Sequence, residues 1–96
     1  MWDDVKRLHE FHGDMPAEIR ILKLTEEVGE AAQALIGMRG QSRKGVWRTR
    51  DDLLDELADV IITAAVTMSA ITDSGTDQAR NHFERRLETV IARAGL

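Results

Sequence analysis

From Val60 to Thr72 the chain carries no charged side chain. Its apolar residues there, among them Val60, Ile61, Val66, Met68 and Ile71, recur at helical spacing and cover nearly the whole circumference. The stretch is 13 residues long, too short to cross a bilayer. A helix that is apolar all round must be covered on every side. Three partner helices from one small chain are too few for that, so the segment predicts a homo-oligomer packed through this helix.

The rest of the chain sets the frame. Its 96 residues predict one domain over 1–96. With 43% apolar and 31% charged residues, the aliphatic content is high enough to argue against wholesale disorder. Thirteen Lys and Arg against 17 Asp and Glu leave a net charge of -4, so no basic footprint for a nucleic-acid polymer is present. The absence of cysteine excludes disulfides, thiolate zinc sites and cysteine nucleophiles. Met1-Trp2-Asp3-Asp4 lacks the basic-then-apolar layout of a signal peptide. The expectation is a cytoplasmic protein with no membrane partner.

Gly13 with Pro16, the Gly37 to Gly45 segment, and Ser74-Gly75 divide the chain into four stretches. Trp2, Val5, Leu8 and Phe11 give a short amphipathic helix to about His12. A second helix is predicted from near Asp14-Met15-Pro16 to about Met38, with Pro16 in its first turn, where the missing N–H does no harm. A third opens at Thr49, with Asp52 three residues on as a variant of the capping box. A fourth follows Thr76, carries Ala79, Phe83, Leu87, Val90 and Ile91, and stops at Gly95. No sustained strand-period alternation is present. The predicted fold is all-α.

Two acidic clusters stand out. The second helix holds Glu26-Glu27-Val28-Gly29-Glu30 and the third Asp55-Glu56-Leu57-Ala58-Asp59. Glu27/Glu30 and Glu56/Asp59 are each three apart, so each pair shares a helix face. Like charges four apart, such as Asp52/Glu56 and Asp55/Asp59, destabilise a helix. The macrodipole offsets this for Asp51 and Asp52 in the first turn, but not for acids deeper in the helix. If the two helices run antiparallel, their acid pairs lie at levels differing by about 3 Å, given roughly 1.5 Å of rise per residue. A divalent cation between them would turn repulsion into shared attraction. Four hard oxygen donors without His or Cys suit Mg²⁺, with Mn²⁺ as an alternative, rather than zinc. The plainer alternative is a solvated acidic face.

Glu26-Glu27-x-x-Glu30 followed by Glu56-x-x-Asp59 resembles the EExxE…ExxD signature of the MazG-type nucleotide pyrophosphohydrolases. These belong to the all-α NTP pyrophosphatase superfamily. Lys23 to Glu30 and Asp55 to Ile61 resemble the family's two central helices, and the similarity covers about Trp2 to Ile71. The resemblance implies a four-helix, bundle-like fold assembled as a homodimer or a dimer-of-dimers tetramer. It also implies hydrolysis of a (deoxy)nucleoside triphosphate between its α and β phosphates, as nucleotide-pool house-cleaning. Glu27, Glu30, Glu56 and Asp59 correspond to the Mg²⁺ ligands, and Glu26 to an acid that orients or deprotonates the attacking water. The chemistry is consistent, since an all-acid pocket binds a polyanion only through cations.

Weaker correspondences involve the substrate. His9 resembles a first-helix histidine that contacts the nucleotide in dCTP pyrophosphatases; the alternative is a surface histidine. Arg43, Lys44 and Arg48 form a basic loop placed to close on phosphates, or an ordinary solvated connector. Trp47 is a candidate to stack on a base, or to cap the core. Thr63 and Gly37 stand where some relatives carry large aromatics, so the base is not specified. Two rival readings stay open: a phosphoribosyl-ATP pyrophosphohydrolase of histidine synthesis, and a non-catalytic helical oligomer that binds a nucleotide, a metal or a partner.

Overall fold

The computed structural model describes residues 1–40 and 47–96. It contains four helices, α1 (Trp2–His12), α2 (Ala17–Met38), α3 (Arg50–Ala70) and α4 (Thr76–Arg93), and no strand among the described residues. The all-α expectation holds. No helix among those residues is long and apolar enough to cross a membrane.

Local chemistry sets the boundaries. Gly13 ends α1 at φ 65°, a conformation open to glycine, and its N–H donates to the His9 carbonyl at 3.1 Å. Pro16 lies just outside α2 as its N-cap, with ψ 147°. This corrects its expected place in the first turn by about one residue. The reason is that its extended ψ belongs to the incoming chain, so helical geometry begins only at Ala17. The start of α3 is the reciprocal cap read from the sequence. Thr49 N–H donates to Asp52 Oδ2 at 2.8 Å, and Asp52 N–H donates to Thr49 Oγ1 at 3.1 Å. Two otherwise unpaired backbone donors are thereby satisfied.

The chain divides into two compact units, the first Met1–Asp14 with Ala65–Leu96 and the second Met15–Ala64. In the first, Val5 of α1 packs with Ala65 and Val66, and Trp2 lies against this cluster. The Trp2 and Phe83 rings meet in a tilted arrangement at 5.8 Å, and Ala79 of α4 is fully buried. Ser69 Oγ donates back to the Ala65 carbonyl at 3.2 Å. The covering expected from Val60 onward is therefore partial. Ala65, Val66, Thr67 and Ser69 are buried, whereas Ile61, Ile62 and Ile71 remain exposed.

In the second unit, Arg20, Ala31 and Ala34 are buried along one face of α2, with Leu24 and Glu27 half-buried beside them. Arg20 Nε donates to the Met15 carbonyl at 3.1 Å, tying the first turn to the chain before Pro16. On α3, Leu53, Glu56 and Val60 are half-buried. A Cβ added at Gly40 would lie 2.8 Å from the Trp47 ring. Residues 40 and 47 are thus neighbours, so the ends of α2 and α3 are close and the two helices form an antiparallel hairpin.

Candidate metal centre

The hairpin brings three of the expected acids together. One carboxylate oxygen from each of Glu27, Glu30 and Glu56 lies within 4.8 Å of the others. Glu27 and Glu30 reach this point because three residues of α2 bring them to nearly the same side. Glu56 comes from α3, six residues past its first residue. The antiparallel alignment read from the sequence therefore places its acids at matching levels.

The electrostatics follow from this crowding. Desolvation holds the Glu27 carboxyl above the ordinary value of 4.5, and the charges of Glu30, Asp59 and Glu56 push in the same direction. Desolvation also raises Glu56, followed by the charge of Glu30 and a hydrogen bond with it, and Arg48 opposes the rise. Interaction with the Glu30 carboxyl raises both groups further. Even so, Glu27 Oε2 and Glu56 Oε2 are shut off from solvent without a hydrogen-bond partner. Buried acceptors in that condition are unfavourable. A small hard cation held among them would pair both oxygens and offset the repulsion around them.

Asp59 stands at the margin. Its charge is felt by Glu27 and Glu56, but it is not one of the three whose oxygens converge. Glu26 is exposed and does not join the cluster, being about 100° around α2 from Glu27. Its side chain is exposed to water.

The remaining expectations fare differently. Arg43 and Lys44 lie outside the described residues. Arg48 lies inside them, exposed, and its charge draws down both Glu56 and Asp52. Among the described residues, Arg48 is the basic group acting on Glu56 and Asp52, a link to the acids that spacing alone does not single out. Trp47 is 76% exposed, with its ring beside Gly40, so it does not cap the core. His9 belongs to the other unit, half-buried on α1, with Nδ1 enclosed and unpaired. A groove of about 480 Å³ also runs along α1, lined by Asp4, Arg7, Leu8 and Phe11, and includes none of Glu27, Glu30, Glu56 and Asp59.

Comparison against family models, curated proteins and solved structures finds no match to this chain.

Proposed function

We propose that the chain is a Mg²⁺-dependent nucleoside triphosphate pyrophosphohydrolase of MazG type, which splits the α–β phosphoanhydride with water to give a monophosphate and pyrophosphate. The observation that carries this reading is the convergence of Glu27, Glu30 and Glu56, two of them with a buried unpaired oxygen. Such a donor set fits Mg²⁺, or Mn²⁺, and leaves no reason to invoke a softer metal. Glu27, Glu30 and Glu56 would hold the cation, with Asp59 adding charge beside them. A bound divalent ion would supply Lewis acidity to phosphoryl oxygens and a lowered pKa to coordinated water.

The chain's own groups have separate tasks. The acid triad repels a free triphosphate and would admit one only with its charge neutralised by bound cations. Glu26, solvent-facing at the rim, orients water and accepts its proton at a carboxylate oxygen. Arg48, with Arg43 and Lys44, offers positive charge to the phosphates. His9 and Trp47 are candidates for contacts to the nucleoside. The fold is the bundle-like arrangement of that superfamily, acting in the cytoplasm as a homodimer or dimer of dimers.

Replacing Glu56 or Asp59 with Ala tests the assignment. Each variant should keep its helix content and lose turnover of every (deoxy)nucleoside triphosphate offered with Mg²⁺. Full activity in both would remove the site from consideration. Including phosphoribosyl-ATP in the same panel separates the histidine-synthesis rival.

A further inference from the structure

The reciprocal cap at the start of α3 holds more than a helix end. Thr49 N–H, which donates to Asp52 Oδ2 at 2.8 Å, belongs to the peptide group that joins Arg48 to Thr49. That group is planar and stiff, so the Asp52 carboxylate fixes the plane to which the Arg48 Cα is attached. The return bond, from Asp52 N–H to Thr49 Oγ1 at 3.1 Å, locks the other side of the same turn. Arg48 lies outside the helix, which begins at Arg50, yet its side chain departs from a backbone that the helix holds.

The cap also shares a face with the acid centre. Asp52 and Glu56 are four residues apart on α3, one turn above the other, and both are half-buried. The Arg48 charge acts on both carboxyls, lowering Asp52 and opposing the rise of Glu56. Its side chain is exposed. Among the described residues no carboxylate forms an ion pair with it, the pairs being Arg7 with Asp4 and Arg80 with Glu84. A guanidinium in that condition offers a fork of donors matched to phosphate oxygens.

We propose that Asp52 is a positioning residue: with Thr49 it holds Arg48 beside the acid centre, where the guanidinium grips a phosphate oxygen of the incoming triphosphate. The inference rests on the triphosphate reading above and adds to it the residue that aims the cation. An arginine on an unpinned connector loses backbone freedom each time it binds, and the cap removes that loss in advance. The sign of the effect sets positioning apart from its alternatives. Asp52 is an acid near a site for a polyanion, so if its charge alone mattered, removing it would tighten binding. If the cap served only the helix, breaking it would lower the melting temperature and leave the affinity of the folded chain unchanged. Positioning predicts weaker binding.

Calorimetric titration of the full chain with Mg²⁺–tripolyphosphate decides the matter, since this probe carries a phosphate chain without a base and requires no turnover. Asp52→Ala should weaken its binding about tenfold, the scale of one charge-assisted hydrogen bond. Mn²⁺ binding without phosphate should keep its wild-type affinity in that variant, showing the hairpin folded and the acids intact. Asp52→Glu, which carries the usual acid of this cap, should restore binding. Asp51→Ala, which removes another acid of the same first turn, should not weaken it. In an Arg48→Ala background, Asp52→Ala should weaken it no further. Unchanged or tighter binding in Asp52→Ala overturns the proposal, as does an equal loss with and without Arg48. So does a wild type that binds Mn²⁺ but not Mg²⁺–tripolyphosphate. A wild type that gives the expected pattern, yet releases no pyrophosphate from any (deoxy)nucleoside triphosphate, supports the positioning role and defeats the hydrolase reading alone.

Discussion

Glu56→Gln keeps the shape of the side chain and removes one of the charges crowded around Glu27 and Glu30, so its effect on stability should change sign with divalent metal. In EDTA at neutral pH the wild type carries an acid cluster with oxygens within 4.8 Å and two buried acceptors unpaired. The variant relieves part of that repulsion and should melt at or above the wild-type temperature. With Mg²⁺ the order reverses. Once the ion exceeds its dissociation constant, each tenfold increase adds about 1.4 kcal/mol to a native state that binds it. For a 96-residue chain this moves Tm by roughly 5–10 °C. The variant, left with two converging carboxylates, should show a curve displaced to much higher Mg²⁺ or none. Circular-dichroism melts across an Mg²⁺ series, at one fixed protein concentration, read both arms. Equal Mg²⁺ shifts in the two proteins, or a wild type unmoved by millimolar Mg²⁺, would refute the reasoning.

Other outcomes follow from the same arrangement. Because Glu27 and Glu56 are raised above 4.5 in the folded chain, the native state binds more protons than the unfolded one just above that pH. Metal-free stability should therefore fall as pH rises through this window; an unchanged slope in a Glu27→Gln/Glu56→Gln double variant would contradict this origin. Asp52 has the opposite sign. The cap from Thr49 lowers it below 3.8, so its contribution is present above that pH and lost as acid takes it lower. Gly40→Ala forces a Cβ against the Trp47 ring at φ 69°. A loss of about 1–2 kcal/mol in denaturant titrations, the cost of a left-handed residue, is expected with a change in tryptophan emission. Val66→Ala opens space beside Val5 and Ala65 and should cost about 2 kcal/mol; a neutral result would show that this cluster is not a packed core.

Much of this architecture was legible because it rests on local rules. The Thr49/Asp52 cap needs only two residues three apart, and its hydrogen bonds occur as read. The acid convergence needs only helical spacing and an antiparallel return, which is why Glu27, Glu30 and Glu56 could be named before their distances were known. Asp59 lies three residues farther along α3, exposed and outside the closest group; which of four acids converge depends on tertiary packing, which spacing does not encode. Arg20 is a buried arginine held by a carbonyl five residues earlier, and nothing in its sequence neighbourhood announces that contact. Phe83, Leu87, Val90 and Ile91 all fall within α4, the helix their spacing predicts. Their exposure of 41% to 48% depends on what packs against them, a property of tertiary contacts rather than of periodicity.

Product analysis tests the central claim most directly. The chain, incubated with a panel of (deoxy)nucleoside triphosphates and Mg²⁺, should release pyrophosphate and the matching monophosphate in equal amounts, and EDTA should stop it. Orthophosphate with a diphosphate product, or no turnover of any nucleotide by folded, Mg²⁺-bound protein, would contradict the account.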